Sequence, residues 1–193
     1  AVDPGYSGTS RYIFLAIQII GKEIRIIDEV VARGLTHTQM KFQVAKKPWW
    51  PHVHTGTIDP YAGDSHVYGA NQTPAEAWRA DEAPGRVNLQ APERLKNTEE
   101  EIRMAYNYFS GLNGWKIVIS DRCERLIWEL TSWKRKKSND IIGDPLKMGN
   151  DAIKALIYFL THHSNGLVEP RARQQIEVVE YNLVGAGIQL AMD

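Results

Sequence analysis

The first third of the chain alternates short apolar runs with turn-forming residues. The segments Tyr12–Ile20 and Glu23–Asp28 are rich in β-branched and aromatic residues, and Gly21-Lys22 separates them. This pattern is typical of a β-hairpin. Because Ala1–Asp3 precedes the hairpin as another extended segment, the pattern predicts a three-strand antiparallel meander.

Beyond the meander, helical periodicity alternates with short extended segments. Helices are predicted where a capping residue precedes apolar positions three and four apart, at 36–46, 73–81, 98–111, 121–134 and 152–161. Short strands are predicted at 55–59, 87–91, 115–120 and 175–183, and a loop at 61–69. Ile58 and Val118 belong to strands added beyond the meander. This order favours one α/β domain, with a mixed sheet flanked by helices.

Composition narrows the class of protein. Of 193 residues, 43% are hydrophobic and 24% charged, which excludes a disordered chain. The longest apolar run, Ile13–Ile20, is far shorter than the roughly 20 residues that cross a bilayer, so no membrane partner is expected. The single cysteine, Cys123, excludes an intrachain disulfide framework and is expected to be a buried structural residue.

Charge allows nucleic-acid binding only through local patches, because 23 Lys and Arg residues balance 23 Asp and Glu residues. One basic run supplies such a patch, at Lys134, Arg135, Lys136 and Lys137. These cations could contact backbone phosphates, or they could form a solvated helix end that complements the helix dipole. Lys147 could likewise contact phosphate or be a solvated loop lysine.

Three acidic residues are candidates for metal chemistry. Asp3 and Asp59 end short extended segments directly before a proline, and Asp151 opens a predicted helix. Hard divalent cations need oxygen ligands, and a pair of such ions can hold an attacking water and a leaving oxygen for phosphodiester cleavage. The alternative is that the first two acids form turns and the third is a first-turn helix acid.

Five sequence segments in order resemble one protein family. They are Asp3-Pro4-Gly5, Ile26–Glu29, Ile58-Asp59-Pro60, Cys123–Leu130 and Asn150–Tyr158. Together they resemble the C-terminal nuclease domain of a tailed-phage large terminase subunit, which is similar to RNase H and RuvC-type nucleases. The resemblance covers roughly residues 1–163 and implies an RNase H-like mixed sheet.

The resemblance also implies an activity and roles for the acids. Asp3 would be the first-strand metal ligand, Asp59 the acid that bridges two ions, and Asp151 the helix acid that completes the site. The implied function is a metal-dependent DNA endonuclease that uses two Mg²⁺ or Mn²⁺ ions. It would cut concatemeric viral DNA during genome packaging with low sequence preference. The implied partners are double-stranded DNA, the small terminase subunit and the capsid portal, and the implied location is the host cell cytoplasm.

The sequence departs from the family pattern around the third acid. Lys154 stands where many relatives have an Asp, and Asn150 or Ala152 stands where they have a second acid or a His. Asp144 therefore competes with Asp151 as the third metal ligand. Alternatives to a packaging nuclease are a junction resolvase, an RNase H-type nuclease, or a non-catalytic docking module that uses the basic run and the Trp49-Trp50 region.

The domain organisation follows from the same comparison. The nuclease core is expected at about 1–163, followed by an extension at 164–193. The phosphate-binding motif G-x-x-x-x-G-K-[ST] does not occur in the sequence, so this chain is not expected to hydrolyse ATP. We expect it to be part of a longer protein whose upstream domain supplies the ATPase.

Overall fold

The structure is a computed structural model that describes most of the first 164 residues. The described residues are 1–5, 10–64, 72–81, 83–95, 98–112, 114–132, 135–138, 141–145 and 149–164. The strands are β1 (Val2–Asp3), β2 (Tyr12–Ile20), β3 (Glu23–Ala32), β4 (Thr55–Thr57), β5 (Asn88–Gln90), β6 (Lys116–Ile119), β7 (Arg135–Ser138) and β8 (Ile141–Pro145). The helices are α1 (His37–Ala45), α2 (Pro60–Asp64), α3 (Pro74–Arg79), α4 (Thr98–Phe109), α5 (Glu124–Ser132) and α6 (Asp151–Ser164), with a 3₁₀ turn at Trp50–His52. None of the described helices is long and apolar enough to cross a membrane.

The central sheet is mixed, as the sequence predicts. Its strand order is β1-β2-β3-β6, with β1, β2 and β3 antiparallel and β6 parallel to β3. Beside β1, Ile58 forms a parallel bridge with Val2, and the adjoining strand β4 pairs in parallel with β5. The strands of Ile58 and Val118 therefore lie beyond the meander, on opposite sides of it.

Strand β2 is buried on both of its faces. Because successive side chains of a strand point to opposite faces, Ile13 and Leu15 pack in one core while Tyr12 and Phe14 pack in the other. The first core contains apolar side chains of α6. The second contains side chains of α1 and α3, among them the fully buried Trp78. Helices thus cover both faces of the sheet.

Local capping signals fix where two helices begin. The Thr36 hydroxyl accepts a hydrogen bond from the N–H of Gln39 at 3.2 Å, and the Gln39 side chain accepts the Thr36 N–H at 2.9 Å. Thr73 and Glu76 make the same reciprocal pair at 3.2 and 2.7 Å. Each pair is a capping box, which satisfies two backbone donors of the first turn. These two starts were predicted correctly.

Two predicted segments differ in part from the structure. Residues 60–64 form helix α2 instead of a loop, because Asp59 accepts the Tyr61 N–H at 2.9 Å and Pro60 occupies the first helical position. The strand predicted at 115–120 is present as the shorter β6, but its residues are half-buried or exposed, whereas the continuous apolar run favours a buried strand. Its only sheet neighbour among the described residues is β3, so it is an edge strand there.

The structure contradicts the alternative in which the basic run forms the end of a helix. Helix α5 ends at Ser132, and residues 135–138 form β7, paired antiparallel with β8. The register joins Ser138 to Ile141 and Lys137 to Ile142. Asp144 therefore lies in β8. The predicted strand at 175–183 lies outside the described residues.

Candidate functional site

Two acidic residues lie side by side at one end of the sheet. The bridge between Val2 and Ile58 is parallel, and the N–H of Asp59 donates to the Val2 carbonyl at 3.1 Å. Asp3 and Asp59 each directly follow a bridged residue. Because the two segments run in the same direction, both carboxylates emerge at the same sheet edge. The sequence placed these acids in separate elements, and the fold brings them together.

Both acids also form the turns that the alternative interpretation predicted. Asp3 Oδ1 accepts the Gly5 N–H at 3.1 Å, and Asp59 Oδ1 accepts the Tyr61 N–H at 2.9 Å. Gly5 has a φ of 61°, and a Cβ there would lie 2.6 Å from the Arg11 carbonyl oxygen, so glycine is required. The turn uses one carboxylate oxygen of each Asp and fixes the orientation of the side chain.

Burial disfavours the ionised forms of these two carboxylates. Asp3 is 8% exposed and Asp59 7% exposed. Burial, followed by the charges of Asp59 and Asp151, raises the pKa of Asp3 to about 8. Burial likewise raises the pKa of Asp59. Buried carboxylates with raised pKa values are stabilised by a bound cation, and an all-oxygen donor set suits a hard divalent ion.

The raised pKa of Asp3 predicts a pH-dependent stability. The native state retains a proton that the unfolded chain loses, so Asp3 lowers the free energy of unfolding as pH rises from about 4 to about 8. We expect Asp3→Asn to gain stability relative to the wild type between about pH 5 and pH 8, by about 2 kcal/mol or more. Urea unfolding in EDTA measures this difference. A difference that does not change with pH would contradict it.

The third acid, Asp151, is the first residue of α6. Its Oδ2 accepts the backbone N–H of Arg11 at 3.0 Å, across 140 residues of sequence. Its charge contributes to the raised pKa of Asp3, so it acts on the same site. Among the described residues, no group of three or more His, Cys, Asp or Glu side chains is arranged closely enough to hold a metal ion. The described geometry therefore pairs Asp3 with Asp59 and places Asp151 within electrostatic range of Asp3.

Two glutamates that the sequence analysis did not nominate, the half-buried Glu29 and the buried Glu129, position the helix that carries Asp151. Glu29 of β3 accepts the N–H groups of Arg125 and Leu126, at 2.6 and 3.1 Å, in the first turn of α5. Glu129 of α5 in turn accepts the N–H of Ile153, at 2.9 Å, in the first turn of α6. Negative charge is favourable at a helix N-terminus, so each carboxylate fixes the next helix. Both residues lie within the segments that carried the family resemblance.

A cleft of about 200 Å³ adjoins the acidic pair. Asp59, Arg94, Glu101 and Lys154 contribute to its lining. Lys154 forms an ion pair with Glu101, and the Arg94 guanidinium lies over the exposed ring of Tyr61, 3.6 Å from its centroid. Such a stacked cation at the edge of the site could contact a phosphate.

Neither Glu101 nor Arg94 was nominated from the sequence. Glu101 belongs to a run of three acids at the start of α4, a pattern that is typical of residues complementing the helix dipole. The sequence distinguished Lys154 only as a departure from the family pattern. Its pairing with Glu101 spans 53 residues, so no local motif could have shown it.

The side chains of the predicted DNA contacts all lie outside the described part of the chain. Arg135, Lys136 and Lys137 lie in β7, for which the backbone is described. Lys134 and Lys147, and the side chain of Asp144, lie outside the described residues. Each of these assignments therefore stays a prediction.

The tryptophans that the docking alternative invokes are integrated into the fold. The Trp49 indole donates to Asp28 at 2.9 Å and stacks on Phe14 with ring centroids 5.7 Å apart. The Trp50 indole donates to the Pro84 carbonyl at 3.1 Å. Cys123 is fully buried, and burial raises the pKa of its thiol to about 12, as expected of a structural cysteine.

Sequence comparison and structural comparison give different results. No protein-family model matches the chain, and no curated protein matches its sequence. Among solved structures, the large terminase nuclease domain of bacteriophage SPP1, which holds bound Mn, matches with a TM-score of 0.58 at 17% identity, covering 85% of this chain and 84% of that one. The P22 large terminase nuclease domain matches with a TM-score of 0.61 at 13% identity, covering 84% and 79%.

A longer protein matches over the same region. The large terminase of a thermophilic bacteriophage matches with a TM-score of 0.58 at 16% identity, covering 84% of this chain and 38% of that one. At such low identity the similarity establishes the fold, and the resemblance noted in the sequence is confirmed at that level. The chain has the RNase H-like fold of large terminase nuclease domains.

Proposed function

We propose that the chain is a divalent-metal-dependent endonuclease that cuts concatemeric viral DNA during genome packaging. The observation that carries the proposal is the buried pair Asp3 and Asp59, side by side at one edge of a terminase-nuclease fold. Burial of two carboxylates costs free energy unless a cation neutralises them, which argues for a functional site. The bound Mn of the SPP1 domain supports a divalent ion.

The proposed ligands are Asp3, Asp59 and Asp151, with Mg²⁺ or Mn²⁺ as the cation. When bound, the cation supplies charge that activates an attacking water and stabilises the leaving oxygen. As a ligand Asp3 would be ionised, which the cation would have to stabilise because burial raises the pKa of this carboxyl to about 8. Asp151 is preferred to Asp144 because its charge acts on Asp3 and the Arg11 N–H holds its side chain.

The proposed substrate is double-stranded DNA, held through its backbone. Lys134, Arg135, Lys136, Lys137 and Lys147 are the proposed phosphate contacts, with Arg94 beside Asp59. Contacts to phosphates carry little sequence information, which fits cleavage with low sequence preference. The small terminase subunit and the capsid portal are the proposed partners in the host cell cytoplasm.

Plasmid cleavage tests the proposal directly. The purified chain should nick and linearise supercoiled plasmid in Mg²⁺ or Mn²⁺, and addition of EDTA should stop cleavage completely. The measurement is the loss of supercoiled DNA on an agarose gel. Cleavage that persists in excess EDTA, or no cleavage in either metal, would contradict a metal-dependent nuclease.

The same assay separates related nucleases by substrate. Linear duplex, a four-way junction and an RNA–DNA hybrid are compared at equal concentration. A packaging nuclease should cut the duplex at least as fast as the junction or the hybrid. Strong preference for the junction would indicate a resolvase, and preference for the hybrid an RNase H-type enzyme.

A further inference from the structure

The cleft beside the acidic pair contains a lysine in an unusual position for a carboxylate site. Lys154 follows Asp151 by three residues on α6, so the two side chains lie on one side of the helix. Helix α6 packs against β1 and β4, the strands that lead to Asp3 and Asp59. Lys154 and Asp59 line the same cleft.

Glu101, which lines the same cleft, anchors this lysine. The Lys154 ammonium forms an ion pair with the Glu101 carboxylate, and α4 and α6 pack against each other. The two side chains are only 25% and 17% exposed. Solvent screens a charge in such a setting less than it screens an open surface charge.

The charge of Lys154 acts on both members of the acidic pair. Its ammonium attracts the carboxylates of Asp3 and Asp59. The Glu101 carboxylate repels that of Asp59. The lysine thus supplies part of the positive charge that the buried carboxylates lack.

We propose that the Lys154 ammonium, anchored by Glu101, is a built-in cation of the carboxylate site, so that the chain binds one divalent ion where the family resemblance implies two. This inference rests on the proposed function. An ammonium fixed beside the first ion repels a second ion by direct Coulomb interaction. It also offers hydrogen-bond donors to a phosphate at the cleft, the role of a positively charged clamp.

Metal-binding stoichiometry tests the inference without relying on activity. Isothermal titration calorimetry with Mn²⁺ at low ionic strength, checked by the electron paramagnetic resonance signal of free Mn²⁺, should give one ion for the wild type. Lys154→Gln should bind a second ion, and its first ion should bind about tenfold more tightly because a neighbouring positive charge is gone. Glu101→Gln keeps the ammonium and should still bind a single ion. Thermal melting by circular dichroism establishes that each variant is folded.

A surface lysine provides the matched control. Lys116 of β6 is 72% exposed, so Lys116→Gln should leave both stoichiometry and affinity at the wild-type values. Two ions in the wild type, or unchanged Mn²⁺ binding in Lys154→Gln, would overturn this inference while leaving the metal-dependent nuclease standing. A wild type that binds no Mn²⁺ would overturn the proposed function and this inference together.

Discussion

Asp59→Asn is expected to lower the rate of plasmid cleavage in Mg²⁺ by about a thousandfold or more while leaving the fold intact. The amide oxygen of Asn can still accept the Tyr61 N–H that Asp59 Oδ1 accepts at 2.9 Å, so the turn into α2 is preserved. The amide lacks the negative charge that a hard divalent cation requires, so metal-assisted catalysis is lost. Initial rates of supercoiled plasmid loss measure the effect.

DNA binding should be unaffected by the same substitution. Asp59 is not itself one of the proposed phosphate contacts, so anisotropy of a labelled duplex should give a Kd within about twofold of the wild type in the absence of catalytic metal. Asp81→Asn is the matched control, because Asp81 is an exposed acid just after α3. An Asp59→Asn variant that keeps more than a tenth of the activity would show that the acidic pair is structural.

The elements that the sequence predicted well are those specified by local signals. The hairpin of β2 and β3 follows from apolar runs around Gly21-Lys22, and its full register extends from Ile20 and Glu23 to Tyr12 and Ala32. Thr36 and Thr73 predict where their helices begin because the capping partner lies only three residues away. Asp3 and Asp59 were found because each combines a strand end with a following proline.

The supports of the site escaped prediction because they are hydrogen bonds between carboxylates and backbone N–H groups that lie far apart in the sequence. Glu29 accepts a hydrogen bond from the start of α5, 96 residues away in the sequence, and Glu129 accepts one from Ile153, 24 residues away. Each looks like an ordinary surface glutamate when only its own segment is considered. Pairing of β7 with β8 was missed for a different reason: the lysines of the run favour solvent exposure in either a strand or a helix, and the β-branched signal lies only in Ile141 and Ile142.

Glu129→Ala is expected to lower the free energy of unfolding by about 3–5 kcal/mol, the range for breaking a buried ion pair. The Glu129 side chain is fully buried, accepts Arg125 Nε–H at 2.6 Å, and accepts the Ile153 N–H at 2.9 Å. Alanine would leave the Arg125 Nε–H and the buried Ile153 N–H without this acceptor. Urea unfolding monitored by tryptophan fluorescence measures the loss.

Two further substitutions separate the charge of Glu129 from its hydrogen bond. Glu129→Gln keeps an acceptor for the Ile153 N–H but removes the charge that pairs with Arg125, so the expected loss is smaller, about 1–2 kcal/mol. Glu124→Gln on the exposed side of α5 should change stability by less than about 1 kcal/mol. If Gln and Ala at position 129 cost the same, the ion pair alone carries the stabilisation, and Glu129 does not hold the first turn of α6. In that case the apolar packing of α6 and the Arg11 N–H would hold Asp151 in position instead.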